Sequence, residues 1–524
     1  MEELTFGQKF LSRKYLSYFF IFFANIVCWL GSFQILVFFT YPVPPTFHIL
    51  IFTISAVLSG ILIGKFVDSV SSRRMFILLG FILYILSFLL VYFISSFGIT
   101  LVDSNFDVIL LSVMLGMAFG ICTVPIGAYF ADISEPKERG KLQGVSYCIS
   151  IGFGFFMILS FQNFIIILPL LIIIAISLII FNIIYKPTAI PGNISESLAS
   201  PSFATILRHK NFIYFVISFM LFMIALPFIQ IFFEESALIP TEFNAINRYI
   251  YYPLLSIFAL IGGYLADRGR RLMVLVSFLI LGLGFTVWGI LEDIAILLPT
   301  LIIILIMVSI GNAVTNVTDY IIPSDYSSSN SRGKYIAVFF AATNTGWIIS
   351  ILLKPLIVTL ATPIIGLIVT ALLLFAISPI ILTSEPLEEA LAKEVDVKGV
   401  YVISEDGRCL FEVSFKDVLI DVDLITSALS AVGSLIKESI HSEKKLKSID
   451  HEDVKILVEY GKYVNSAIIA DKETADVRGR LERFLKEFEY NYHDYVSHWT
   501  GDVRPFFEAY KLIESYFGVY LTKK

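Results

Sequence analysis

The sequence predicts a polytopic α-helical membrane protein with twelve transmembrane helices in two pseudo-repeated six-helix bundles, followed by a C-terminal soluble α+β domain. Three observations carry this. The chain of 524 residues is 57% hydrophobic and 16% charged, where soluble domains run nearer 45–50% apolar and about 25% charged. Residues 1–390 hold 19 Lys/Arg and 20 Asp/Glu, whereas the last 134 hold 19 and 24, so charge is concentrated in the tail. Polar loop motifs recur at nearly one offset in the two halves of the apolar part. This composition excludes a single soluble domain and a disordered chain. The net charge of −6 is too balanced to argue for a nucleic-acid partner.

About 20 apolar residues span the hydrocarbon core as a helix. Twelve stretches qualify: 15–40, 47–66, 75–96, 108–131, 143–161, 164–184, 211–233, 248–266, 271–291, 297–321, 335–359 and 363–383. The first follows Lys9, Arg13 and Lys14, but it is too long for a signal-peptide core and lacks a small-residue cleavage site. The longest polar interruption falls after span six. The expected organisation is a bundle over 1–190, a cytoplasmic linker over 191–210, a second bundle over 211–385, a linker over 386–398 and a soluble domain over 399–524. Asn193-Ile194-Ser195 has the glycosylation pattern but falls in the cytoplasmic linker.

Basic residues set the orientation. With the N-terminus inside, one face carries Lys9, Arg13, Lys14, Lys65, Arg73, Arg74, Lys137, Arg139, Lys141, Lys186, Arg208, Lys210, Arg268, Arg270, Arg271, Arg332 and Lys334. Only Arg248 and Lys354 fall towards the other. Both termini are therefore expected in the cytoplasm, with the plasma membrane as the location.

Gly64-Lys65-Phe66-Val67-Asp68 precedes Arg73-Arg74 between spans two and three, and Gly263-Tyr264-Leu265-Ala266-Asp267 precedes Arg268-Gly269-Arg270-Arg271 between spans eight and nine. Asp132 stands seven residues before Arg139-Gly140-Lys141, and Asp325 seven before Arg332-Gly333-Lys334. Repeated bundles with a site between them are the usual build of secondary transporters.

On these loops the chain resembles the major facilitator superfamily over roughly residues 10–385. That family's signature is Gly-x-x-x-Asp-Arg-x-Gly-Arg-Arg/Lys between helices two and three, often echoed between eight and nine. Here the first copy is one residue longer and lacks the second Gly, and the second copy is one residue shorter. The resemblance implies alternating access and a cytoplasmic gate of Gly64, Asp68, Arg73, Arg74, Arg139, Gly263, Asp267, Arg270, Arg271 and Arg332. It implies that Asp68 faces the start of helix eleven with Arg139 nearby, and that Asp267 pairs with Arg332 facing helix five. A carboxylate suits a helix start, which carries free N–H groups and a partial positive charge.

Polar residues inside spans are costly and usually face a bundle interior or a cavity. Asn25 and Gln34 in span one, Gln230 in span seven, and Asn312, Asn316 and Asp319 in span ten are the candidate substrate pathway. The last three are four and three residues apart, hence on one helix face. The alternative is interhelical hydrogen bonding. Asp319 is the one carboxylate set well inside a predicted span, and low dielectric favours its protonated form, as a proton-coupling site requires.

In the tail, Gly399–Ile403 and Cys409–Phe415 flank Glu405-Asp406-Gly407, a hairpin signal. Leu424, Ile425, Ala428, Leu429, Val432, Leu435 and Ile436 have helical spacing behind a cap at Asp421 or Asp423. Three strands follow near 445–450, 454–460 and 463–470. A helix then carries Leu481, Phe484, Leu485, Phe488, Tyr492 and Tyr495, and Gly501-Asp502 separates it from a helix with Phe506, Tyr510, Ile513 and Phe517. This order resembles the longin domain, a relative of the roadblock fold. The resemblance implies a docking module for a cytosolic protein such as a small GTPase.

The four cysteines and six histidines show no metal or disulfide spacing, and no catalytic or nucleotide-binding motif is present. No metal, cofactor or enzymatic activity is expected. The expected partners are a small-molecule solute and the lipid bilayer. The expected function is a secondary transporter or facilitator of a small organic solute with a cytosolic regulatory domain. The competing reading is a non-transporting receptor or scaffold that presents the tail.

Overall fold

The computed structural model describes residues 6–10, 12–38, 45–69, 73–97, 104–160, 169, 171–177, 201–235, 241–291, 298–328, 331–357, 362–387, 390, 397–404, 407–415, 448–451, 454–471, 475–497, 499 and 501–521. The chain forms two compact units, one of residues 1–195 and 199–387, the other of residues 196–198 and 388–524.

In the first unit, α1 spans Arg13–Phe38, α2 Pro45–Val67, α3 Arg74–Phe97, α4 Ser104–Ile133 and α5 Arg139–Ser160, and residues 171–177 form the described part of α6. Then come α7 (Lys210–Glu235), α8 (Thr241–Ala266), α9 (Arg270–Leu291), α10 (Leu298–Tyr326), α11 (Arg332–Ile357) and α12 (Thr362–Ile381). Among the described residues, seven helices are long and apolar enough to cross a membrane: α1 to α4 and α9 to α11. Shorter apolar stretches lie in α7, α8 and α12. A helix satisfies its own backbone polar groups, the condition for lying in hydrocarbon.

These helices are apolar on both sides. Phe52, Phe81, Phe88 and Phe212 are buried between helices, while Leu58, Leu367 and Phe375 remain 65%, 65% and 67% exposed. Large apolar side chains on the outside are what lipid contact demands. α2 packs on α4 and α11, α5 on α8, and α7 on α11 and α12. The α2–α11 and α5–α8 contacts join the two halves.

In the second unit, β1 (Val397–Ser404), β2 (Cys409–Ser414), β3 (Ser448–His451), β4 (Val454–Tyr460) and β5 (Val464–Ala470) form one antiparallel sheet in the order β2-β1-β5-β4-β3. Gly407 turns the β1–β2 hairpin at φ 89°, a region other residues rarely adopt. α13 (Ala475–Asn491) and α14 (Tyr510–Leu521) follow. Leu481, Phe484, Leu485, Phe488, Phe506, Ile513 and Phe517 pack with Val400, Val402, Leu457 and Ile468 in one core.

Two expected core residues are outside it. Tyr495 is 55% and Tyr510 50% exposed. Arg504–Ala509 is a 3-10 turn, which winds more tightly than an α-helix, so Ala509 points inward instead of Tyr510. α13 also stops at Asn491, short of Tyr495. The expected helix over Leu424–Ile436 lies outside the described residues, as do residues 191–200 of the first expected linker and most of the second.

Candidate functional site

One end of the membrane unit gathers the turns between α2 and α3, α4 and α5, α8 and α9, and α10 and α11. We call it the arginine face. Both Asp68 carboxylate oxygens accept backbone hydrogen bonds from the start of α11, from Gly333 at 2.7 Å and Lys334 at 3.0 Å. Asp267 does the same at the start of α5, from Gly140 at 2.6 Å and Lys141 at 2.9 Å. Each aspartate thus ends a turn in one half and caps a helix in the other. Such a charge–dipole contact is worth up to about 2 kcal/mol when partly buried. Burial pushes the Asp68 carboxyl above its ordinary range and Asp267 up to about 6, against the lowering pull of nearby arginines and these backbone donors.

The arginines are arranged differently from expectation. Arg139 does not join Asp68; its Nη1 is 2.6 Å from Asp325. Arg332 does not pair with Asp267; it pairs with Asp132. Arg139 and Arg332 each begin a helix whose next N–H groups are held by the capping aspartate. Their side chains extend sideways, to the aspartate at the end of the facing helix. Arg270 completes one set, 3.1 Å from Asp325 and 3.4 Å from Asp267. Arg73 completes the other, 3.1 Å from Asp132 and 4.0 Å from Asp68. Arg270 also donates to the carbonyls of Ala266 and Pro136. Arg270 and Asp325 are fully buried.

Two four-membered sets result, Asp68–Arg73–Asp132–Arg332 and Asp267–Arg270–Asp325–Arg139. Each takes three residues from one half and one arginine from the other. Asp132 and Asp325 were visible as a repeat in the sequence, and their seven-residue spacing to an arginine was the signal. That spacing hides the exchange of partners between halves.

The remaining expected gate residues divide. Gly263 approaches Gly140 so closely that a Cβ on either would strike the other's backbone oxygen, and a Cβ on Gly64 would strike Ala337. Arg74 and Arg271 do not join either set. Arg74 begins α3. Arg271 instead donates to the carbonyls of Thr383 at 2.7 Å and Ile381 at 3.1 Å, closing the end of α12. Glu385 accepts from the Arg270 and Arg271 N–H groups at 2.7 and 3.2 Å, capping α9.

Further along the bundle, Asn312 donates to the Tyr251 hydroxyl, and Asn316 Nδ2 donates to the Asn312 carbonyl and side-chain oxygens, both at 2.8 Å. Asp319 lies one turn beyond, and its Oδ1 has no hydrogen-bond partner among the described residues. Tyr320, the next residue, and Tyr147 of α5 belong to one buried cluster. Asn25 of α1 donates to Thr123 of α4 at 3.2 Å, and Thr123 also bonds Tyr320. Asn25 therefore reaches the α10 face through Thr123 and Tyr320. Of residues 311–327, Asn316 and Asp319 alone are not buried. The side chains of Gln34 and Gln230 lie outside the described residues. The tyrosines were missed in the sequence, where a tyrosine in an apolar run reads as core.

The arrangement is similar in fold to solved structures. The family model described as Major Facilitator Superfamily matches residues 249–437, running from α8 into the second unit. The solved human organic anion transporter MFSD10 (TETRAN) superposes with a TM-score of 0.55 at 13% identity, over 70% of this chain and 99% of that one. A bacterial homologue of the iron transporter ferroportin, in an outward-facing state, gives 0.56 at 15%, over 70% and 98%. The proton:xylose symporter XylE gives 0.55 at 13%, over 71% and 96%. The membrane unit has the major facilitator fold. No curated protein sequence matches the chain. At the arginine face α2 meets α11 and α5 meets α8.

Proposed function

We propose that the chain is a secondary transporter or facilitator that moves a small organic solute across a membrane by alternating access. The observation that carries this is the joint placement of two features. A lock of exchanged ion pairs closes one end between the halves, and over residues 311–326 α10 keeps exposure only at Asn316 and Asp319. A lock at one end has a use when the other end can open. In this reading the twelve spans form two six-helix bundles, and the arginine face is cytoplasmic by its basic residues. The plasma membrane is the proposed location. Asn25, Asn312, Asn316 and Asp319 line the pathway, with Gln34 and Gln230 as further candidates. The second unit is a cytosolic longin-like regulatory or docking domain, for which the strand and helix order gives support.

The test uses Asn316→Cys in a background whose native cysteines are replaced, reconstituted in proteoliposomes. An impermeant thiol reagent should reach this cysteine from the side opposite the arginine face. Adding Asp68→Asn and Asp267→Asn should bring labelling from the arginine face. A cysteine that labels from neither side in both backgrounds would leave the scaffold reading, with a dry bundle centre, in its place.

A further inference from the structure

We propose that the central site binds an organic cation, with Asp319 as its counter-charge and tyrosine faces as its walls. This deepens the transporter reading and rests on it.

Three observations point the same way. First, Asp319 has no ion-pair partner among the described residues, and its Oδ1 accepts no hydrogen bond. The arginines at the ends of neighbouring helices are already committed to Asp132 and Asp325. An intramembrane carboxylate left without a partner is costly, and a cationic ligand supplies the missing charge.

Second, three of the four N–H donors of Asn312 and Asn316 are already used. Asn316 gives Nδ2 to Asn312, and Asn312 gives Nδ2 to Tyr251. The site therefore offers acceptor oxygens, and Asp319 becomes a full negative charge when a cation arrives to offset it. An anionic solute would meet Asp319 with no described cation to offset it. A polyhydroxylated neutral solute would find one amide N–H of Asn312 and Asn316 left to receive it.

Third, the surroundings are aromatic. Tyr147 and Tyr320, the residue after Asp319, share one buried cluster, and Tyr251 and Tyr252 pack against it. The Tyr251 and Tyr252 rings are 5.2 Å apart at 72°. Phe22 lies 5.9 Å from the Tyr320 ring and 6.3 Å from the Tyr147 ring. A hard metal cation requires about six oxygen ligands, and a single carboxylate among rings does not supply them. Aromatic faces attract a large, weakly hydrated cation through their quadrupoles.

The probes are tetraphenylphosphonium and tetraphenylborate, nearly identical in shape and opposite in charge, titrated against the full chain in nanodiscs. Saturable binding of the phosphonium, at least tenfold tighter than of the borate, is expected. Asp319→Asn should weaken phosphonium binding tenfold or more. Tyr252→Leu should weaken it several-fold, with Tyr252→Phe close to wild type. Equal binding of the two probes overturns the proposal, as does wild-type affinity in Asp319→Asn. If Asp319→Asn does not fold, unchanged affinity in Tyr252→Leu overturns it instead. The transporter reading fails separately. Selective phosphonium binding with no change in side of access at residue 316 would keep the cation site and remove alternating access. The reverse result would remove the cation site alone.

Discussion

Arg139 of the first half is held 2.6 Å from Asp325 of the second, in a position where both side chains are almost wholly buried. Arg332 of the second half meets Asp132 of the first in the same manner. Burying a charge is tolerable only when it is paired, so these contacts hold only while the halves are together. The first prediction concerns this pair. Asp325→Asn leaves Arg139 and Arg270 without their shared counter-charge, and should cost about 3–5 kcal/mol. Arg139→Gln combined with Asp325→Asn should recover part of that loss. Thermal unfolding of the singles and the double in detergent gives the coupling energy, and additive losses would count against the pairing.

The second prediction concerns close approach. Gly263→Ala places a methyl group against the Gly140 carbonyl, and overpacking of this kind costs about 1–3 kcal/mol. The cost falls on the closed arrangement of the arginine face. Cys148 lies in this α5–α8 contact, where its carbonyl accepts from Ser256 at 2.6 Å. Its labelling from the arginine face should therefore rise in Gly263→Ala, measured with the other cysteines replaced.

A third prediction follows from the titration of Asp267. Its carboxyl is raised from 3.8 to about 6 where it caps α5, with burial the largest cause. The closed arrangement therefore binds the proton more tightly than one in which Asp267 is solvated. By linkage, closure is favoured as pH falls below about 6 and loses that contribution as pH rises through it. Two pKa units correspond to on the order of 3 kcal/mol at most. Asp68 and Glu385 shift in the same direction. Cys148 should label more slowly from the arginine face at pH 5 than at pH 7.5, after correction for thiol reactivity. Asp267→Asn should reduce the difference.

The fourth prediction concerns the second unit. Phe484 and Phe488 are fully buried in its core, so Phe488→Ala should cost about 3–5 kcal/mol. A fragment of residues 388–524 should fold alone, with a cooperative melt that this substitution lowers. A wild-type fragment without a cooperative transition would show that this core needs the rest of the chain.

The long elements were legible because a bilayer imposes a length. Spans two, three and nine differ from their helices by two residues or fewer at either end. Helix ends bearing charges were less legible. α5 begins at Arg139 and α8 at Thr241, several residues before the apolar runs, because polar residues continue a helix beyond hydrocarbon. α10 passes Pro323 and ends at Tyr326, which a proline argument would have stopped. At the site, the Asp–Arg spacing was visible but not which half supplies the partner, since sequence distance carries no information about contacts across a pseudo-symmetric interface. The central carboxylate was legible because charge is rare in an apolar span. The rings of Tyr147, Tyr251 and Tyr252 were not, because tyrosine is common there.

The lock also has an electrical character. The first half contributes Asp68, Asp132, Arg73 and Arg139, and the second Asp267, Asp325, Arg270 and Arg332. Counted at formal charges, each half is neutral in these eight residues, whether the sets are assembled or parted. Separating the halves therefore moves no net lock charge through the membrane field, which would otherwise act at about 2.3 kcal/mol per charge per 100 mV. The lock contributes almost no gating charge. A voltage-dependent transport current would then report Asp319 and the charge of its cargo.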